Sequence, residues 1–271
     1  MRPSLRESER MFLFRFFTFA LAALSIAAPA DLPRMDLHAH IHDDQHPEKS
    51  LKPTDVVALS KKLGVKFGVL AEGGCTGDIK DPQSLGAFID SLAGLPLWGG
   101  IQVYGFDWER CLTAEKLAQL DYIAADALVF PDRDGKNIRL WLKGVAFDNP
   151  QDFMDRYVAY NEKVLSQPIQ IWANPTYLPD TLHSSYDELW TPARMDRVIG
   201  VVVKNHIAIE INAKFEIPSA AFIKRAKAAG AKFSIGSNQH VHGIGEIDFC
   251  LRRARECGLT SADFFIPKRQ F

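Results

Sequence analysis

The strongest constraint on the fold is an alternation of short apolar runs with helical patterns from Met35 almost to the end of the chain. Such alternation is typical of repeated βα units around a parallel sheet. The predicted strands are Leu32–His40, Val65–Ala71, Leu97–Val103, Tyr122–Phe130, Ile169–Ala173, Ile207–Asn212 and Lys232–Gly236. The predicted helices are Pro53–Leu63, Pro82–Leu92, Ala114–Leu120, Pro150–Leu165, Pro192–Lys204, Ala220–Ala229 and Ile244–Cys257. Asp134-Gly135 predicts a turn in an excursion after the fourth strand.

These elements follow one another without a linker or a break in composition, which favours one domain over residues 31–271. The predicted fold class is α/β, a single distorted (βα)7-type TIM-like barrel. An open doubly wound sheet is the alternative. The sequence has neither GxGxxG after the first strand nor GxxxxGK[ST], so nucleotide cofactors have no local support.

The first thirty residues have the pattern of a secretory signal. Four arginines precede or open an apolar run from Phe16 to Ala28, and Ala28-Pro29-Ala30 provides the small-x-small pattern read by signal peptidase. The run is shorter than the roughly 20 apolar residues of a membrane-spanning helix. We therefore expect a cleavable signal peptide over residues 1–30, with Met11 as an alternative start. The mature domain, 31–271, is expected to be secreted or periplasmic and without a membrane segment.

The charge balance limits the classes of molecule that the protein is expected to bind, and the cysteine spacing limits the kinds of site it is expected to contain. The chain has 32 basic and 33 acidic residues, so no net field attracts nucleic acid or an anionic membrane, and a small-molecule partner is expected. Nothing in the sequence indicates an oligomeric state. Cys75, Cys111, Cys250 and Cys257 have no metal-ligand or redox spacing. All four are interpreted as core thiols.

Chemistry in such folds is concentrated at the carboxyl ends of the strands. Asp36, His38, His40 and His42 alternate with apolar residues, so the two-residue period of a strand predicts one common face. Two imidazoles in an HxH pair can chelate one divalent ion at about 2.0–2.1 Å per bond. Asp36 could orient one of the imidazoles without binding the ion itself. His46 follows closely. The pair therefore predicts a metal site.

Polar residues also end most of the other predicted strands. They are Glu72, Gln102, Asp126, Asn174, Glu210, Asn212, Asn238 and His240. Asn and Asp after a strand often serve only as caps or loop residues. Their occurrence on six strands together indicates a site. The polar segment from Asn174 to Leu189, which contains His183, is the candidate loop for substrate contacts.

Three segments carry a resemblance to a known family: Asp36-Leu37-His38-Ala39-His40, Ile207–Asn212 and the stretch from Phe233 to His240. Together they resemble the polymerase and histidinol phosphatase (PHP) superfamily, over about residues 36–265. The resemblance implies a distorted seven-stranded βα barrel that hydrolyses phosphate esters with two or three metal ions. The metal-ligand positions that it implies here are His38, His40, His46, Glu72 and His240. A weaker resemblance is to the amidohydrolases, which also begin with HxH on a first strand.

Several positions depart from the PHP pattern. Neutral or different residues replace expected ligands: Gly73 after Glu72, Gln102 for a bridging glutamate, Asn174 for a histidine, Asn238 for an aspartate, and Asp126 or Ala127 for a histidine. Clustered cations need anionic ligands to offset their mutual repulsion. A trinuclear cluster is therefore not expected, whereas one divalent ion (Zn, Mn or Fe) is.

The favoured functional hypothesis is an exported PHP-like, phosphoesterase-like hydrolase with a mononuclear metal site. One alternative is a metal-free carbohydrate or polyol enzyme, with Asp126 and Glu210 as acid and base. In that case Gln102, Asn174, Asn212 and Asn238 would bind the substrate. The other alternative is a catalytically inactive barrel that binds a small ligand. Few cations lie at strand ends, Lys214 being the clearest, which weakens the case for a phosphate substrate.

Overall fold

A curled parallel sheet forms the centre of the computed structural model, which describes residues 31–42 and 47–271. Its strands are β1 (Met35–His40), β2 (Lys66–Gly73), β3 (Trp98–Val103), β4 (Tyr122–Ala125), β7 (Ile171–Trp172), β8 (Ala208–Asn212), β9 (Lys232–Gly236) and β10 (Gln239–His240). The order across the sheet is β10-β1-β2-β3-β4-β7-β8-β9. The predicted signal peptide and His46 lie outside the described residues.

Helices connect the strands. They are α1 (Pro53–Leu63), α2 (Pro82–Ser91), α3 (Ala114–Leu117), α4 (Pro150–Val164), α5 (Tyr186–Leu189), α6 (Pro192–Lys204), α7 (Ala220–Ala228) and α8 (Asp248–Glu256). Proline in the first turn of α1, α2, α4 and α6 has no hydrogen bond to lose there. In the part of the chain that the structure describes, no helix combines the length and apolarity needed to cross a bilayer.

The sheet is a curled half-barrel. Its two edge strands, β9 and β10, follow one another in the chain with only Ser237 and Asn238 between them, and β9 also lies against β1. Every residue of β1, β3, β4 and β8 is buried, as expected for strands covered on both faces. The α/β class is thus confirmed and the architecture is consistent with a TIM-like barrel. The sheet is not a closed (βα)7 barrel.

The predicted fourth strand is shorter than expected. It ends at Ala125, because the Oδ1 atom of Asp126 accepts a hydrogen bond from the Leu128 backbone N–H at 3.0 Å and turns the chain. The following residues form an antiparallel hairpin of β5 (Val129–Pro131) and β6 (Asn137–Arg139). This hairpin is the excursion predicted from Asp134-Gly135.

The interpretation of all four cysteines as core thiols is wrong for two of them. Cys75 and Cys111 form a disulfide across 36 residues, with Cα atoms 5.4 Å apart. Cys75 follows β2 and Cys111 follows β3, and the carboxyl ends of these neighbouring parallel strands lie side by side. Spacing rules for short motifs cannot detect two cysteines that are brought together by the order of the strands in the sheet. Cys250 and Cys257 are buried free thiols, as predicted.

We expect the Cys75→Ser/Cys111→Ser double variant to lose about 3 kcal/mol of unfolding free energy, because the disulfide restricts the unfolded chain. Chemical denaturation of the oxidised parent and the variant measures the difference. Reduction of the parent should reproduce the loss, whereas the double variant should not respond to reductant. Equal stability of the variant and the oxidised parent would contradict the prediction.

Candidate active site

Six buried residues at the carboxyl end of the sheet form a closed ring of hydrogen bonds, which we call the polar ring. Its members are His38, His40, Gln102, Asp126, Asn174 and Glu210, each at most 5% exposed. On one side, His38 Nδ1 lies 2.6 Å from Glu210 Oε1, and His38 Nε2 lies 3.1 Å from His40 Nε2. These two contacts use both nitrogens of the His38 imidazole.

Gln102 and Asn174 complete the ring through Asp126. His40 is hydrogen-bonded to Gln102, whose Nε2 donates to Asp126 Oδ2 at 2.7 Å. Asn174 Nδ2 donates to the same oxygen at 2.7 Å, and the Asn174 backbone N–H donates to Glu210 Oε2 at 2.7 Å. The backbone of Asn174 is left-handed (φ 48°), a conformation that asparagine tolerates better than most residues. The residue can therefore contact both carboxylates at once.

Two further asparagines support the polar ring. Asn212 Nδ2 donates to Glu210 Oε2 at 2.9 Å and to Asn174 Oδ1 at 3.0 Å. Asn238 Nδ2 donates to Asn174 Oδ1 at 2.8 Å. The structure thus brings together all four predicted substrate-binding amides, and several of their polar atoms are bonded to neighbouring side chains. Their contact with substrate stays a prediction.

The protonation of the ring follows from its charges. Burial alone would lower the pKa of His38, but attraction and hydrogen bonding to Glu210 raise it above its ordinary value. Burial would raise the pKa of Glu210, yet His38 and the neighbouring amide donors lower it. Burial and the nearby charges of His38, His240 and Lys214 lower the pKa of His40 well below its usual range. A charged His38 therefore donates to Glu210 and to a neutral His40.

Asp126 and Glu210, the predicted acid and base, each accept hydrogen bonds from three donors. Asp126 accepts from the Leu128 backbone N–H, Gln102 and Asn174, and burial raises its pKa despite these bonds. Glu210 accepts from His38, Asn212 and the Asn174 backbone. This geometry favours positioning roles for both carboxylates. Their catalytic role stays a prediction.

The expected role of Asp36 needs correction. Its carboxylate does not contact an imidazole but accepts hydrogen bonds from the His38 backbone N–H, the Ser237 backbone and hydroxyl, and the Gly245 backbone. The oxygen–donor distances are 2.6–3.1 Å. Asp36 therefore fixes β1 to the turn between β9 and β10. The carboxylate that orients the His38 ring is Glu210.

A small cavity of about 10 Å³ adjoins His40, with room for about one water molecule. Its polar lining includes His42, Glu72, Asp78 and His240. The His240 ring stacks on His40 with centroids 4.4 Å apart. Among the described residues, no three His, Cys, Asp or Glu side chains already surround a point where a metal ion could bind.

The structure also contains a larger cavity of about 430 Å³, of which the sequence indicated only part. The predicted substrate loop contributes Tyr177 and His183, and the segment after β8 contributes Lys214 and Phe215. His183 Nε2 donates to the Leu178 carbonyl at 2.7 Å. The cation at Lys214 was apparent from the sequence, but the pairing of these two segments depends on the order β7-β8 in the sheet.

Comparisons with known proteins leave the family open. No protein-family model matches the sequence, and no curated protein matches it significantly. A cryo-EM structure of archaeal ribonuclease P with mature tRNA shares 12% identity and a TM-score of 0.40, covering 83% of this chain and 88% of that chain. A citrate lyase from Burkholderia xenovorans LB400 shares 12% identity and a TM-score of 0.38, covering 84% and 78%. At these scores neither structure supports a functional assignment, so function has to be argued from the site.

Proposed function

We propose that this protein is an exported hydrolase of small-molecule esters that uses one divalent ion bound at His38 and His40. The observation that carries the proposal is the 3.1 Å separation of the two Nε2 atoms. Two imidazole ligands of a tetrahedral ion, at about 2.0–2.1 Å each, have their nitrogens about 3.3 Å apart. An ion could therefore replace the proton that the two rings share, with little movement of β1.

The surroundings of the two rings suit metal ligands. Histidines that bind metals usually have the second ring nitrogen hydrogen-bonded to a carboxylate, carbonyl or water. Glu210 is hydrogen-bonded to the second ring nitrogen of His38, and Gln102 is hydrogen-bonded to His40. Glu72 and His240 line the adjoining small cavity together with His40 and would supply further donors. This set of nitrogen and oxygen donors suits Zn, Mn or Fe.

The same residues argue for one ion rather than a cluster. Gln102, Asn174 and Asn238 are neutral and hydrogen-bonded to other ring members. A bound ion would lower the pKa of a coordinated water and polarise an ester. Glu210 would hold the His38 ring in place and keep Nε2 directed at the ion. Gln102 would do the same for His40, with Asp126 fixing the amide.

Fold and compartment are consistent with this proposal. We interpret β9 and β10 as the two halves of one interrupted strand, since β9 pairs with β8 and β10 pairs with β1. That interpretation gives the seven-stranded distorted barrel which the PHP resemblance implies. The Cys75–Cys111 disulfide supports export, because disulfides persist in oxidising compartments.

Elemental analysis of the full chain, expressed so that it can be exported and purified without chelator or His-tag, tests the proposal. We expect about one equivalent of metal in the parent and loss of most of it in His38→Ala, since the chelating pair is cut. His206→Asn is the matched control, because His206 lies before β8 at the opposite end of the sheet and has a left-handed backbone that asparagine accepts. It should retain the metal.

Absence of metal from the parent after supply of Zn²⁺, Mn²⁺ and Fe²⁺ would overturn the proposal. Equal metal content in His38→Ala, with folding verified by circular dichroism, would overturn the assigned ligands. Ester hydrolysis that survives chelation would instead favour the metal-free enzyme. Ligand-induced stabilisation without turnover would favour the inactive binding barrel.

A further inference from the structure

The larger cavity lies between the segment after β7 and the segment after β8. Its volume of about 430 Å³ is in the range of small-molecule sites, about 300–1,000 Å³. It adjoins Asn212, which supports the polar ring, because the Phe215 backbone N–H donates to Asn212 Oδ1 at 3.0 Å. None of the proposed ion ligands lines it. Binding in this cavity therefore does not depend on the hydrolase proposal.

Lys214, which lines the cavity, has no carboxylate partner among the described residues. Within the described part of the chain, no carboxylate lies within 4.0 Å of its Nζ atom, which instead lies 5.7 Å from the centre of the Phe215 ring. Lys214 is an exposed residue, and burial of part of its amine lowers its pKa below the ordinary value.

Arg253 and Glu216 are the other Arg, Lys, Asp or Glu residues described in the lining of the cavity, and Arg253 already has partners in the protein. Arg253 Nε is paired with Glu256 Oε2 at 3.2 Å, and its Nη1 donates to the Pro218 carbonyl at 3.0 Å. Glu216 also lines the cavity and would repel a highly charged anion. A single positive charge beside a carboxylate is matched by a ligand with one negative charge rather than two.

The rest of the wall is apolar and aromatic. Tyr177 and Phe215 are in contact, with ring centroids 4.6 Å apart and planes tilted by 59°. Leu178 and Ile217 extend this surface. Two rings tilted in this way offer both an edge and a face to a ligand, so an aromatic ring or a branched hydrocarbon can pack against them.

We propose that this cavity binds a small organic monocarboxylate with an aromatic or branched apolar body, whose carboxylate contacts Lys214 Nζ. Phosphate esters fit less well, because phosphates are usually bound by several donors or by the fork of an arginine. Lys214 provides one point charge, and the Arg253 guanidinium uses its Nε for Glu256 and its Nη1 for the Pro218 carbonyl.

Binding of phenylpropionate and of its neutral analogue phenylpropanamide to the full chain, measured by calorimetry or ligand-observed NMR in the presence of EDTA, tests this inference. We expect the carboxylate to bind with a dissociation constant near 1 mM, and the amide about fivefold more weakly, as for a partly exposed ion pair. Lys214→Met retains most of the apolar stem and should weaken carboxylate binding about fivefold, leaving the amide unchanged. Lys204→Met, at an exposed position of α6, is the control and should bind like the parent.

Phe215→Ala removes part of the apolar wall and should weaken both ligands. Equal binding of carboxylate and amide, or equal binding by Lys214→Met and the parent, would overturn the inference. So would absence of carboxylate binding at about 10 mM. Tighter binding of phenyl phosphate than of phenylpropionate would overturn the choice of a carboxylate. Because EDTA is present, none of these results depends on whether His38 and His40 bind an ion.

Discussion

Replacing Glu210 with glutamine is expected to lower the unfolding free energy by about 3 kcal/mol at mildly acidic pH, and to remove the charge from His38. In the parent, Glu210 accepts a 2.6 Å hydrogen bond from a His38 that is 2% exposed. A charged imidazole facing a neutral amide would be buried without a counter-ion. We expect His38 to lose its proton instead, so that its Nδ1 atom accepts from the new amide group.

The effect of this substitution depends on pH in a defined way. The pKa of His38 is raised above 6.5, so its contribution to stability is complete below that pH and is lost as pH rises through the raised value. The pKa of Glu210 is lowered below 4.5, so its contribution is complete above that pH and is lost as pH falls through the lowered value. The parent and Glu210→Gln should therefore differ most between about pH 4.5 and 6.5.

Denaturant unfolding of both proteins in the presence of EDTA, at pH 5.5 and at alkaline pH, measures this difference, and ¹⁵N NMR of the imidazoles in the same metal-free samples reports the charge of His38. The control is Glu115→Gln, an exposed glutamate in the first turn of α3, which should change stability by less than about 0.5 kcal/mol. A stability difference that stays constant across this pH range would contradict the expected ion pair. So would a His38 that remains charged in Glu210→Gln.

Periodicity was sufficient to place most elements of the fold. Pro53–Leu63, Pro192–Lys204 and Lys232–Gly236 have the predicted bounds, because proline starts both helices and apolar residues alternate in the strand. Ile169–Ala173 is reduced to two strand residues, since its pairing with β4 and β8 extends no further. Periodicity describes one segment at a time, so it could not show whether the hydrogen-bonded sheet closes.

The candidate site was predicted as a set of residues but not as a set of bonds. Polar side chains at the ends of parallel strands must lie near one another, which is why His38, His40, Gln102, Asp126 and Glu210 meet. Which atoms pair depends on register and on backbone turns that no local pattern specifies. Asp36 illustrates the limit, because its partners Ser237 and Gly245 lie about 200 residues further along the chain.

Gly236 provides the other large expected effect, because its missing side chain leaves space for the His38–Glu210 pair. A Cβ atom at this position would lie 2.6 Å from His38 Cβ and in direct collision with Glu210 Oε1. The collision involves a buried, paired strand and a carboxylate held by three hydrogen-bond donors, so neither can move without breaking hydrogen bonds. We expect Gly236→Ala to lose about 3 kcal/mol of unfolding free energy.

Gly200→Ala is a matched control with the opposite expected sign. Gly200 lies within α6, and a Cβ there has no atom within 4 Å. Alanine in a helix interior is favoured over glycine by about 0.5–1 kcal/mol, so Gly200→Ala should be more stable than the parent. Denaturant unfolding in the presence of EDTA distinguishes the two signs, and ¹⁵N NMR of the metal-free proteins shows whether His38 keeps its charge. If Gly236→Ala were as stable as the parent and His38 stayed charged, the strand would have room for a methyl group, and the close packing that holds the pair together would be refuted.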